Sequence, residues 1–235
     1  MSDSTSVGVL TNIFTAPSRA FAAIKERPNP WVPLLLISIG TAVVSYVYLK
    51  SVDMAWMLDH QLSQGGNLTD EQRTQMVDAA LKLPQGAYYV IGSVSAPISY
   101  LIYWALIALY LTAVSFATND GVKYGQWFAA IAWSMVPLLF GLAATFVNLL
   151  VTDVRFLAPE LLNPLSFSNL LGIDVEGMST FQRSVLSLSV TAVWVVGLLI
   201  VGHQVLSQRS IVRSAVVVLA PVVAIVLAVV VFASV

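Results

Sequence analysis

The chain has 235 residues, 58% hydrophobic and only 10% charged, with eleven Lys+Arg against twelve Asp+Glu, a net charge of −1 and a mean hydropathy of +0.84. A water-soluble domain carries about 25% charged residues, so this composition excludes a globule held in solution by its own surface and places the chain in a lipid bilayer. The near-neutral balance offers nothing to nucleic acid, and the absence of cysteine removes disulfides, thiol nucleophiles and thiolate metal sites.

Residues 1–30 read as a cytoplasmic N-terminal segment. Within it, Leu10, Ile13, Phe14, Pro17, Phe21 and Ile24 recur at spacings of three and four over 10–27, while Arg19, Lys25, Glu26 and Arg27 fall elsewhere. That pattern predicts an interfacial amphipathic helix, capped by Thr15 with Pro17 in its first turn. Phe14, Pro17, Arg19, Phe21 and Arg27 are its candidate membrane or partner contacts. Pro28-Asn29-Pro30 ends it.

Residues 31–235 then read as a membrane domain. Five stretches free of Asp, Glu, Lys and Arg are long enough to cross about 30 Å of hydrocarbon as helices: about 31–49, 86–117, 125–151, 184–206 and 214–235. The first follows thirty residues with five charges, so it reads as a retained helix rather than a cleaved leader. Pro97, Pro137 and Pro221 predict kinks in the second, third and fifth, each tolerable where a neighbouring helix satisfies the freed carbonyl. Gly141, Ala144, Gly197, Val201 and Gly202 offer small surfaces for close helix approach.

Between the first two spans, Asp53, Asp59 and His60 read as part of a solvated loop rather than a metal site, because one histidine with two carboxylates at irregular spacing makes a poor ligand set. Thr69 with Gln72 predicts a capping box opening a helix over 70–82, stopped by Pro84. The loop 152–183 is unusually apolar and predicts short helices packed on the bundle. Arg19, Lys25, Arg27, Lys123, Arg209 and Arg213 cluster in short segments on one side of the spans. The positive-inside rule therefore puts the N-terminus in the cytoplasm and, after five crossings, the C-terminus outside. In a bacterium the membrane would be the inner one.

Chemistry is sparse. Proton relays and intramembrane catalysis need titratable groups within the bilayer, and the spans supply one, His203. With Gln204 and Asn148 it forms the candidate intramembrane polar site. No metal-ligand cluster, nucleophile constellation or phosphate-binding glycine loop appears, so no cofactor, metal or catalytic residue is expected.

Three passages suggest a family. Ile13-Phe14-Thr15-Ala16-Pro17-Ser18-Arg19-Ala20-Phe21, followed by Glu26-Arg27-Pro28, resembles the opening of bacterial Yip1-family proteins. Tyr124-Gly125-Gln126-Trp127-Phe128 through Val136-Pro137 resembles that family's third span, and Trp194-Val195-Val196-Gly197 through Gly202 its fourth. The resemblance covers nearly the whole chain and implies a five-span α-helical membrane domain with a cytoplasmic N-terminus. Eukaryotic members act in vesicle trafficking and associate with prenylated small GTPases. This chain lacks their long acidic N-terminal region and its signature, so GTPase recognition does not carry over. The expected role is a non-enzymatic scaffold or adaptor organising membrane lipids, a protein partner or further copies of itself. The alternative is a small-solute or lipid transporter gated by the proline-broken spans.

Overall fold

A computed structural model describes residues 5–64, 68–175 and 177–233, which are helical throughout apart from short connections and a single bridge between Ser166 and Ser189. The chain divides into two compact units. One gathers the chain up to Leu34, Ile102–Val136 and everything from Val193; the other gathers Leu35–Leu101 and Pro137–Ala192.

The N-terminal segment forms two helices, α1 (Ser6–Thr15) and α2 (Pro17–Glu26). The expected single helix over 10–27, capped by Thr15, is corrected here. Thr5 caps α1 by accepting from the Gly8 N–H, while Thr15 ends that helix with its hydroxyl donating back to the Thr11 carbonyl. The break falls at Ala16 (φ −151°, ψ 65°), because a residue before proline is pushed out of the helical region and proline itself suits a helix start. Val9, Ile13, Ala20, Phe21 and Ile24 are buried within the first unit, and Arg19 and Arg27 are exposed.

Three helices are long and apolar enough to cross a membrane: α3 (Trp31–Ser51), α6 (Gln85–Thr118) and α11 (Val190–Ser207). A fourth crossing follows if α7 (Tyr124–Ser134) and α8 (Leu138–Val151), bent by 40° at the Met135–Pro137 break, count as one. The bend is where proline requires it, since Pro137 has no N–H for the Trp133 carbonyl and the Val136 N–H takes that acceptor at 3.3 Å. At 34 residues α6 is about 51 Å long, well beyond the hydrocarbon thickness, and it continues through Pro97. The expected fourth span starts later than 184, at Val190. Residues 184–186 belong instead to a separate short helix, and Ser187–Ser189 connects the two. The last helix, α12 (Ile211–Ala233), covers most of the expected fifth span. Its apolar stretch Ile211–Ala224 is shorter than a crossing, and residues 234–235 lie outside the described part.

The remaining helices are α4 (Met54–Gln64), α5 (Asp70–Leu81), α9 (Phe167–Leu171) and α10 (Thr180–Leu186), with a 3₁₀ turn at Pro159–Leu161. The capping box of Thr69 with Gln72 is present as expected. The first loop is not simply solvated: Asp53 accepts from the Trp56 N–H and opens α4, whose Met54 and Met57 are buried with Tyr48, Val52, Leu149 and Val154.

Proline also explains a contact within the first unit. Pro221 cannot donate to the Val217 carbonyl, and the Tyr110 hydroxyl of α6 donates to that oxygen instead, at 2.8 Å. Close approach occurs at Gly202 of α11, where a Cβ would lie 3.0–3.2 Å from the Phe21 ring, whereas one at Gly197 would meet nothing within 4 Å.

Two outcomes are expected in denaturation of the detergent-purified protein. Gly202→Ala destabilises by about 1–3 kcal/mol through overpacking on Phe21, and Gly197→Ala is neutral or gains up to about 1 kcal/mol from helix propensity. Tyr110→Phe costs about 1–3 kcal/mol in the natural background by orphaning the Val217 carbonyl. Its cost shrinks once Pro221→Ala restores the internal hydrogen bond, a coupling read from the double-mutant cycle.

Candidate functional site

The polar residues of the first unit converge where α6 and α11 end and α12 begins. Two left-handed residues make the chain reversals there, Asn119 (φ 52°) after α6 and Gln208 (φ 56°) after α11. His203, one turn before the end of α11, is 3% exposed. Its Nδ1 lies 2.9 Å from the Ser214 hydroxyl of α12 and 3.3 Å from that of Ser207. Its ring stacks on Trp127 of α7 at 5.3 Å between centroids, and the Trp127 indole N–H donates to Ser115 of α6 at 2.8 Å. Four helices are thus joined through one imidazole.

Hydrogen accounting favours the tautomer protonated at Nε2. Ser207 spends its proton on the His203 carbonyl at 2.6 Å. Ser214, fully buried, satisfies its own hydroxyl proton by donating to Nδ1. The ring proton then sits on Nε2, which is buried and has no hydrogen-bond partner among the described residues. Leaving such a donor unpaired costs about 1–3 kcal/mol. Nδ1 faces a hydroxyl rather than a carboxylate, and Ser214 is sealed from solvent, so the pair has neither the orienting acid nor the access that a nucleophile–base pair needs.

His203 lines a cavity of about 380 Å³ together with Val114, Thr118, Asp120, Arg209, Val212, Arg213, Val216 and Val217. At its mouth Arg209 donates to the Thr118 carbonyl at 2.8 Å. Asp120 accepts from the Thr118 hydroxyl and the Val122 N–H. The Arg213 guanidinium is exposed and has no ion-pair or hydrogen-bond partner among the described residues. The α2 end is tied to the same region: Lys25 donates to the Leu206 carbonyl at 2.6 Å and accepts, through its own carbonyl, from Gln126 at 2.7 Å.

The three residues expected to form one polar site do not share a setting. Gln204 is half-buried beside His203 but outside its hydrogen-bond network, and Asn148 belongs to the second unit, donating to the Leu162 carbonyl at 3.2 Å and accepting from Thr152. Of the N-terminal candidates, Phe21 is fully buried on Gly202, Phe14 packs edge-on against Trp194 at 5.4 Å, Pro17 is half-buried, and Arg19 and Arg27 are exposed. Ser115, Trp127 and Ser214 were not singled out from sequence. The signal they offered was polar atoms within otherwise uncharged spans, which says nothing of who meets whom.

The second unit holds its own polar chamber of about 300 Å³, walled by Thr41, Thr145, Asn163, Ser189 and Thr191 among others, in which the buried Thr41 hydroxyl has no partner among the described residues. In the first loop His60 lies 2.9 Å from Glu160, Asp59 pairs with Arg73 at 2.9 Å and Asp53 with Arg155 at 3.8 Å. No group of three or more His, Asp or Glu poised for a metal occurs among the described residues.

Comparison with known proteins agrees with the helical, uncharged spans. The protein named "Membrane protein YknW" of Bacillus subtilis (strain 168) is 33% identical over 99 residues, 42% of this chain and 42% of that protein. The match therefore spans less than half the length of either. No solved structure matches. The Yip1 domain matches residues 11–233, nearly the whole chain, and the chain is accordingly a membrane protein of the Yip1 family.

Proposed function

We propose that this protein is a non-enzymatic integral membrane scaffold or adaptor that organises lipids or a protein partner, itself included, at the cytoplasmic face. The observation that carries this reading is the N-terminal helix pair. Its apolar residues Ile13, Phe21 and Ile24 are buried within the first unit while Arg19 and Arg27 remain exposed, so the pair is a fixed platform with a basic outer face. In this reading α12 completes five crossings, with the N-terminus inside and the C-terminus outside, in the cell inner membrane of a bacterium. The division of charge supports that orientation. Arg19, Lys25, Arg27, Lys123, Arg209 and Arg213 fall in short segments of the first unit, whereas Lys50, Arg73, Lys82, Arg155 and Arg183 are spread over the two long loops of the second, beside Asp53, Asp59, Asp70, Glu71, Asp78, Asp153, Glu160 and Asp174.

The polar chamber around Thr41 favours a second reading, a small-solute or lipid carrier, because carriers place their substrate sites among helices that would otherwise be dry.

Deleting residues 1–27 would remove buried core as well as the basic face. The informative variant therefore reverses charge only. Arg19→Glu with Arg27→Glu is expected to abolish the reproducible crosslinked adducts of the wild-type protein in native membrane while thermal stability stays within about 0.5 kcal/mol, as for an exposed substitution. Unchanged adducts would contradict the adaptor reading, and solute flux in proteoliposomes that is blocked by Thr41→Leu would favour the carrier.

A further inference from the structure

The His203 cavity combines three features that one ligand chemistry would satisfy together. One of its walls is His203, whose buried Nε2 has no hydrogen-bond partner among the described residues. Its rim carries Arg209 and Arg213, of which Arg213 has no partner among the described residues, and the one carboxylate present, Asp120, is already engaged by Thr118 and Val122. Its remaining wall is valine.

A second cavity, a groove of about 550 Å³, lies along the same two helices, lined at one end by Tyr110 and Leu111 of α6, one turn before Val114, and by Val218 of α12, next in sequence to Val217. It runs on past Leu106, Leu199 and Pro221 with an almost wholly apolar lining. An apolar cavity with a net-positive rim, beside a long apolar groove on the same membrane helix pair, matches an amphiphile with an anionic head. A free anion would have no use for the groove, and a neutral lipid would leave the unpaired cation and donor unanswered.

From this we propose that the junction of α6, α11 and α12 is a binding site for an anionic phospholipid of the surrounding bilayer. The headgroup phosphate accepts hydrogen bonds from His203 Nε2 and Arg213, and an acyl chain lies in the groove between Leu106 and Val218. Arg209 is a positioning residue: its bond to the Thr118 carbonyl fixes the rim across which the headgroup enters. The ligand makes good the donor that the protein's own hydrogen bonding leaves over. The site deepens the adaptor reading by naming a lipid class, but it is read out by lipid retention on the purified chain rather than by partner capture, so either can fail alone.

Native mass spectrometry of the full chain in detergent tests it, with phosphatidylglycerol, phosphatidylcholine and inorganic phosphate as probes. Phosphatidylglycerol should be retained at least about tenfold more tightly than phosphatidylcholine and should not be displaced by inorganic phosphate. Arg213→Gln and His203→Phe should each bring phosphatidylglycerol down to the level of phosphatidylcholine, and Arg19→Gln, an exposed arginine elsewhere, should change neither. Equal retention of the two lipids, displacement by free phosphate, or unaltered retention by Arg213→Gln would overturn the site. Should His203→Phe fail to fold, the exposed Arg213→Gln decides the matter by itself.

Discussion

Hydrocarbon supplies no hydrogen bonds, so each polar group that enters it must be answered from within the protein. That constraint organises this chain more than any single apolar contact does. Serines and threonines in the spans bond back to their own helix, as Ser93 does to Tyr89, Thr112 to Ala108 and Ser134 to Ala130. Longer side chains reach across. Tyr110 meets the carbonyl that Pro221 frees, Lys25 meets Leu206 at the end of α11, and Trp133 meets Asn29 between the two prolines that open α3. Outward faces are left almost purely apolar, with Val43, Leu106, Phe116, Val193 and Val222 all substantially exposed. In water such surfaces would drive aggregation, but in lipid they cost nothing.

Against that background the exceptions are informative. His203 Nε2 and the Thr41 hydroxyl are buried without a partner among the described residues, and each belongs to a residue in a cavity wall. An unanswered polar group beside open space is where a ligand contributes most, because it supplies the missing bond without displacing a protein one. The two cavities differ in kind. The one at His203 is apolar with basic residues at its rim and suits a charged amphiphile. The one at Thr41 mixes neutral hydroxyls and an amide with Ile37, Leu138 and Leu142 and suits an uncharged solute. A platform that exposes Arg19 and Arg27 fits the first more naturally than the second, which is why an adaptor role is preferred to a carrier.

Local chemistry was legible in the sequence and tertiary chemistry was not. The Thr69–Gln72 capping box, the break at Pro137 and the short helices of the apolar loop depend on residues a few positions apart. A single N-terminal helix capped by Thr15 was expected, but Thr15 ends α1, because the residue before Pro17 is the one that proline forces out of helical geometry. Asp53, Asp59 and His60 read as a solvated loop because of their polarity, but Asp53 caps α4, Asp59 pairs with Arg73, and His60 meets Glu160, 100 residues away. His203 stood out as a titratable group in an uncharged span, but Trp127, Ser115 and Ser214 are ordinary residues until folding brings them round it. Asn148 was grouped with His203 on polarity alone, and polarity carries no address.

The central claim is that lipid covers the exposed apolar faces while polar atoms are satisfied inside. Because the natural chain has no cysteine, single cysteines can be placed without background. In sealed membrane vesicles, cysteines at Val43, Leu106 and Val222 are expected to resist a membrane-impermeant maleimide until the bilayer is dissolved, while cysteines at Gln64 and Gln208 react from an aqueous side. Ready labelling at Val43, Leu106 or Val222 in intact vesicles would mean that water wets those faces, and the account would fail.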